Sequence, residues 1–200
     1  MKIMVVGGTG TLGKAVVKEL SARHEIIIAA HQSGDIHVDI TDPVSIENMY
    51  HTVDNLDAVI TTTGKVVFRD FLAMKAEDYQ LGLNDKLMGQ VNLVMIGCRY
   101  INDRGSFTLT SGILSEDPIR TATSAALVNA AIDGFVRSAA IEMPRGLRIN
   151  SVSPTVLTES LVKYGSYFHG FESVSAARVA LAFSKSVEGL QTGQTYRVGY

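Results

Sequence analysis

Residues 3–20 read IMVVGGTGTLGKAVVKEL: an apolar run, glycines at 7, 8, 10 and 13, then Leu12, Ala15, Val16 and Leu20 recurring on one helical face. Strand, glycine turn and helix in this order make a phosphate cradle. Gly7 permits the tight turn, Gly10 lets backbone N–H groups approach a pyrophosphate, and Gly13 lets the helix pack on the strand with its positive end towards the anion. Thr9, Thr11 and Leu12 fill the rest of the loop, and the spacing is G-x-x-G-x-x-G rather than the commoner G-x-G-x-x-G.

Outward from this unit, short apolar runs recur: EIIIAA at 25–30, DAVITT at 57–62, SFTLT at 106–110, RINSV at 148–152 and TYRV at 195–198, with a further alternating strand at Ile36, Val38 and Ile40. Such runs read as buried parallel strands, each followed by a crossover. Asp42-Pro43 opens one crossover helix as cap and first residue, and the two longest helices are predicted over Glu77–Asn102 and Thr121–Met143. The pattern predicts an α/β fold: a doubly wound parallel sheet of about seven strands with helices on both faces, forming one domain over residues 1–200. A net charge of −2 gives no electrostatic argument for nucleic acid. No apolar run approaches the ~20 residues of a membrane span, and the start MKIMVVGG lacks the pattern of a cleavable signal, so a cytoplasmic location is expected. The single cysteine, Cys98, is expected as a buried structural thiol.

At the end of the second strand a fold selective for NAD usually places an acid on the ribose 2′-hydroxyl; here Ala30-His31-Gln32-Ser33 stands there. An acid would repel a 2′-phosphate, whereas His31 and Ser33 can donate to it, so NADP(H) is favoured over NAD(H). His31 reads equally as a solvated loop residue. Asp39 and Ile40 begin the next loop, placed for an acid on the adenine amino group and an aliphatic side chain beneath the ring.

Together VVGGTGTLG, VDITDP, DAVITTTG, GSFTLTSG and RSAAIEMPRGLRINSVSP span essentially the whole chain, and they resemble the short-chain dehydrogenase/reductase family. Most specific is the last, where Arg148, Asn150, Val152 and Pro154 match the family's RxNxVxP. The resemblance implies a Rossmann-type fold, NAD(P)(H) binding, a small-molecule substrate, and a homodimer or homotetramer packed through the two long helices. It places Thr62, Thr63 and Gly64 (the family's N-A-G), Pro154 and Val156 beside the cofactor, with Pro154-Thr155 replacing the family's P-G.

The same resemblance exposes a loss. The family's Tyr-x-x-x-Lys pair falls on Ala125 and Asn129, neither of which titrates, while the asparagine of the preceding helix falls on Lys86. Lysine and asparagine look exchanged. Either an ammonium and an amide are retained in one cleft in reversed order, or the positions have drifted and Lys86 is solvated. Ser111, at or within one residue of the family's serine, can orient a carbonyl oxygen but is a poor acid. The expected catalytic set is therefore Ser111, Lys86 and Asn129. Tyr164, Tyr167 and His169 of the YGSYFHG loop are alternative donors, and Phe68 and Phe71 are candidates to complete the pocket. Two functions follow: an NAD(P)(H)-binding oxidoreductase with an altered active site acting on a small carbonyl, alcohol or activated alkene, or a catalytically silent NADP(H)-binding sensor or scaffold. Asp35, His37 and Asp39 alternate as a solvated edge does rather than as a metal site, and Glu116-Asp117 before Pro118 reads as a turn.

Overall fold

The computed structural model describes all 200 residues. β1 (Lys2–Val6) leads through the glycine turn into α1 (Thr11–Leu20), and β2 (Glu25–Ala30) and β3 (Ile36–His37) precede α2 (Pro43–His51). β4 (Leu56–Thr61) is followed by α3 (Ala76–Gly82) and α4 (Gly89–Gly97), and β5 (Ile101–Thr110) by α5 (Thr123–Ala139). β6 (Arg148–Pro154) precedes a short α6 (Leu161–Tyr164), α7 (Ala176–Glu188) and β7 (Thr195–Val198). The strands form one parallel seven-stranded sheet in the order β3-β2-β1-β4-β5-β6-β7. The chain winds outward from β1 to β3, then returns to lay β4 on the other side of β1. The carboxyl ends of β1 and β4 therefore flank a crevice at the switch point, where open α/β sheets bind ligands.

Parallel strands need both faces covered, which is why β1 is apolar at consecutive positions. Ile3 and Val5 join a core with Leu12, Val16 and Leu20 of α1 and Val179 and Phe183 of α7, whereas Met4 and Val6 face Ile46, Tyr50, Leu93 and Ile132 on the opposite side. Asp42 caps α2 as its sequence suggests, accepting from the Val44 N–H at 2.9 Å with Pro43 in the first turn.

A polar clasp closes the α1–α7 seam. Glu188 accepts from Arg23 Nε at 2.8 Å and from Ser184 Oγ at 2.8 Å, with His24 Nε2 also at 2.8 Å. The Arg23 hydrogen bond, aided by His24 and Ser184, holds the Glu188 carboxyl at about 2. A carboxylate depressed in the folded state binds its proton more readily when unfolded, so this contribution is complete above the ordinary carboxylate range and disappears as pH falls through about 2. Glu188→Gln is expected to lower stability at pH 7 by about 1 kcal/mol, the scale of a partly exposed charged network. Urea unfolding should show the difference shrinking between about pH 4.5 and 2.

Three boundaries correct the sequence reading. The long helix runs unbroken from Ala76 to Gly97, α3 and α4 being joined by a π-helical turn, Leu83–Met88, and it ends short of the expected Asn102; a Cβ on Gly97 would lie 2.5 Å from the Tyr50 hydroxyl. Asn102 instead belongs to β5, which starts early because Ile101 pairs with Leu56 ahead of a register shift, and Asn102 Nδ2 donates to Asp57 Oδ1 at 2.8 Å. α5 ends at Ala139 rather than Met143, short of Pro144, which cannot continue it. β3 is only Ile36–His37, although Val38 and Ile40 are buried as the alternation requires.

Candidate functional site

The crevice at the switch point is a cleft of about 500 Å³. Of the residues singled out by sequence, Gly7, Thr9, Gly10, His31, Ser33, Asp39, Ile40, Thr62 and Thr63 line it; Gln32, Thr41, Lys65 and Asp85 join them without having been anticipated. Its floor is the glycine turn. Gly7 has φ +85°, and a Cβ there would lie 2.9 Å from Thr63 Cβ. A Cβ on Gly13 would lie 2.2 Å from the Gly7 carbonyl oxygen, so this glycine is what lets α1 start against the loop. At Gly10 the only atom within 4 Å of such a Cβ is the Gly7 oxygen, at 3.4 Å, so Gly10 leaves open space above the loop. Gly10 is also the N-cap of α1 and supplies no side chain, and no acid sits in the first turn. The N–H groups of Thr11, Leu12 and Gly13 find no acceptor in the chain. These free donors, with the helix dipole behind them, are a preformed anion site.

Beyond Thr63 the geometry is set by Gly64, Lys86 and Asn129. Gly64 has φ +136°, and a Cβ there would lie 2.5 Å from Lys86 Cγ, so the lysine stem crosses directly over it. Lys86 Nζ donates to Asn129 Oδ1 at 2.6 Å and to the Ser111 carbonyl at 3.1 Å. Burial pushes the Lys86 ammonium down to about 8, with the Asp133 carboxylate opposing the shift. Two of the three ammonium protons are used within the chain, and one remains. Asn129 Nδ2 in turn donates to the Gly112 carbonyl at 3.4 Å. The Ser111 hydroxyl is buried without a partner, as is that of Ser124 beside Ala125. The lysine is thus not the solvated residue of the drift reading: both exchanged side chains meet, on the carbonyl side of Ser111-Gly112.

Lys86 sits in the π-helical turn, whose shape is fixed by Gln90. The Gln90 amide Nε2 donates to the Lys86 carbonyl at 3.1 Å and to the Thr110 carbonyl at 3.0 Å, while its Oε1 accepts from the Thr110 N–H at 2.9 Å and from the Thr61 hydroxyl. One fully buried amide therefore ties the ends of β4 and β5 to the turn that presents the lysine. π-turns concentrate at functional sites.

Asp133, one helical turn beyond Asn129, was missed by the sequence reading. It is buried, accepting from Ser151 Oγ at 2.8 Å, Ser115 Oγ at 3.2 Å and Thr195 Oγ1 at 3.3 Å. The available signal was a carboxylate in register with Ala125 and Asn129 on an apolar helix.

Other expectations are revised. Ala125 is buried in an apolar cluster with Ile113, Leu114 and Ala122, against which Phe68, Phe168 and Phe171 pack. Phe71 is 68% exposed on a separate turn and does not line the main cleft. Tyr164 and Tyr167 rest on Phe68, with ring centroids 5.7 and 5.8 Å away, and His169 is exposed. Gly64, Pro154 and Val156 lie off the lining of the main cleft, Val156 being buried. Cys98 is half-buried rather than buried, because it lines an apolar groove with Met143, Sγ to Sδ 3.9 Å; burial raises its thiol pKa. Glu116 pairs with Arg197 Nε at 2.8 Å, which accounts for its place in a turn.

A parallel sheet reversing at β1/β4, a glycine turn with free amides and a polar cluster beyond it define a doubly wound, Rossmann-type α/β protein. A family model described as Enoyl-(Acyl carrier protein) reductase matches residues 7–189, and the chain belongs to the short-chain dehydrogenase/reductase family. The protein lin1944 from Listeria innocua is 50% identical over 99% of both chains, with a TM-score of 0.97. A small-chain dehydrogenase solved in complex with NADPH is 25% identical over 99% of this chain and 96% of its own, with a TM-score of 0.88. A short-chain dehydrogenase/reductase from Serratia marcescens, 18% identical over 98% of this chain and 94% of its own with a TM-score of 0.82, shares the fold. No match was found among curated proteins. No helix is long and apolar enough to cross a membrane.

Proposed function

We propose that this chain is an NAD(P)(H)-dependent oxidoreductase in which Lys86 takes over the proton-donating and charge-stabilising task of the missing tyrosine, acting on a small carbonyl, alcohol or activated alkene. The observation that carries the reading is the clasp of Lys86 between Asn129 and the Ser111 carbonyl, which leaves one ammonium N–H over, while the hydroxyl of the same serine is buried without a partner.

The cradle fits the cofactor. Free amides at Thr11, Leu12 and Gly13 suit a pyrophosphate, the gap above Gly10 gives it room, and Asp39 and Ile40 suit an adenine. The small-chain dehydrogenase in complex with NADPH supports the same choice, and His31 and Ser33 favour NADP(H) over NAD(H). When bound, the nicotinamide supplies or accepts a hydride. Lys86 then stabilises negative charge gathering on the substrate oxygen and gives it a proton, and Ser111 Oγ orients that oxygen. Asn129 holds the ammonium in place, while Asp133 favours its charged form.

A second reading, a catalytically silent NADP(H) sensor, draws on the apolar closure around Ala125. NADPH mixed with a panel of small aldehydes, ketones and enones separates the two. Oxidation of NADPH with at least one member supports the enzyme; saturable binding with no turnover across the panel gives the sensor.

We further propose a homodimer or homotetramer formed through the long helices. Leu81, Met88 and Met95, seven residues apart, are 42%, 41% and 62% exposed, and Met95 borders the groove of about 270 Å³ between α4 and α5 that includes Phe135 and Met143. Sedimentation at micromolar concentration is expected to show a dimer or larger, with Met95→Lys shifting it to monomer. A wild-type monomer would overturn this.

A further inference from the structure

The hydrogen bonds around Lys86 form a closed ring that passes through Gln90. In an α-helix the Lys86 carbonyl would accept from the main-chain N–H of the residue four places on, which is Gln90. In the π-helical turn the side chain of that residue is found at the carbonyl, with Nε2 3.1 Å away. The same amide spans the end of β5, donating to the Thr110 carbonyl at 3.0 Å and accepting from the Thr110 N–H at 2.9 Å. The paired positions of β4 and β5 end at Ile60 and Thr108, so the amide does for Thr110 what a further strand residue would do. Ser111, the next residue, offers its carbonyl to Lys86 Nζ at 3.1 Å and closes the ring. The lysine is thus fixed at its main chain through Thr110 and at its ammonium through Ser111.

The ring has little slack. The Thr61 hydroxyl also donates to Gln90 Oε1, so both N–H groups and both lone-pair positions of the amide are used, and the residue is fully buried. Thr110 Oγ1 donates to the Thr61 carbonyl at 2.5 Å, which ties β4 to β5 at the same level. Backbone lies directly beneath the lysine stem, since a Cβ on Gly64 would lie 2.5, 2.8 and 3.0 Å from Lys86 Cγ, Cβ and Cα. Of the charged side chains around the ammonium, Asp133 on α5 acts on it, while Asp85 is taken by the Lys65 N–H at 2.7 Å. Without the amide, the turn is free to return to the α register, and a shift of one residue in a helix swings a side chain about 100° around the axis.

Resting on the reading of Lys86 given above, we propose that Gln90 is a positioning residue: it refers the Lys86 main chain to the end of β5, so that the ammonium is delivered to the Ser111 carbonyl and Asn129. Gln90 itself touches neither substrate nor cofactor. Its effect on the reaction passes through the lysine.

The test uses protein carrying carbon-13 lysine, free of cofactor, and follows the Lys86 Cε resonance, identified by its loss in Lys86→Met, from about pH 6 to about pH 11, across the range in which lysines titrate. In wild type the midpoint is expected at about 8. Gln90→Met keeps a stem of similar size and removes the amide. It is expected to raise the midpoint by about one pH unit or more, because an ammonium released to water regains the ordinary lysine value. Thr61→Val takes one bond from the amide and is expected to raise it by about half as much; it decides the question alone where Gln90→Met does not fold. Thr108→Val breaks the buried 2.7 Å bond from Thr108 Oγ1 to Ser186 Oγ on the same strand, and should leave the resonance where it is. An unmoved midpoint in Gln90→Met, or an equal movement in Thr108→Val, overturns the proposal. With any active substrate Gln90→Met is expected to lose about 10²-fold in kcat, the cost of a misplacement of about 1 Å, with NADPH binding within a few fold of wild type. Unchanged turnover in Gln90→Met overturns the proposal whatever the resonance does. Wild-type turnover in Lys86→Met is a different failure: it overturns the reading of Lys86, and with it any use for the placement that the resonance reports.

Discussion

Lys86→Met is expected to lower turnover with any active substrate by about 10²–10⁴ while leaving NADPH binding within a few fold, because a positioned proton donor acts on the transition state rather than on the bound cofactor. Methionine keeps the apolar stem across Gly64 and removes only the ammonium. The pH dependence identifies the group. A lysine lowered to about 8 is protonated below that value, so carbonyl reduction by wild type should fall tenfold per pH unit above about 8, and this limb should vanish in the variant's residual rate. Asn129→Asp places a carboxylate where the amide oxygen lies 2.6 Å from Nζ, favouring the charged lysine and moving the limb to higher pH. A merely structural lysine would not move it. Unchanged turnover in Lys86→Met would end the assignment.

Folding energetics run the other way at this residue. Because the folded chain gives up the Lys86 proton more readily than the unfolded chain does, the penalty for burying the charge is present below about pH 8 and is relieved as pH rises towards the ordinary lysine range. Retaining an ammonium that weakens the fold at neutral pH is reasonable where the charge has a task.

The sheet was legible in the sequence because parallel strands must be apolar on both faces, and IMVV, EIIIAA and DAVITT carry that signature without ambiguity. Helix ends were less so. Gly97 at the helix end packs against Tyr50, 47 residues away in sequence, and the π-turn is tied by Gln90 to Thr110, neither of which a local pattern contains. The site divides in the same way. The glycine loop is a local motif, so its residues can be named from the sequence alone; the exchange of Lys86 and Asn129 emerged only by laying the chain against a family, and only coordinates show that the two side chains touch. Asp133 stayed hidden because its partners Ser115, Ser151 and Thr195 come from three distant segments. Ala125 was read as an absence; its burial among Ile113, Leu114 and Ala122 shows that the space has an apolar wall.

The glycines of the loop separate folding from binding, and this gives the second large effect. Gly13→Ala drives a methyl to 2.2 Å from the Gly7 oxygen, 2.7 Å from Gly8 Cα and 2.8 Å from Thr62 Oγ1, and the first two are backbone. Side chains can yield by rotating, but here α1 itself must move, so a loss of about 3 kcal/mol is expected, together with at least tenfold weaker NADPH binding as the free amides lose their common direction. Gly10→Ala is the contrast. Its φ of −77° suits alanine, and the added methyl meets nothing closer than the Gly7 oxygen at 3.4 Å, so the melting temperature should stay within a degree or two of wild type. That methyl nevertheless enters the space above the amides, where a pyrophosphate must sit to receive their hydrogen bonds. NADPH should therefore raise the melting temperature of wild type but not of Gly10→Ala. If Gly10→Ala binds as wild type does, the phosphates do not lie over this loop, and the proposed cofactor orientation along the β1–β4 crevice fails with it.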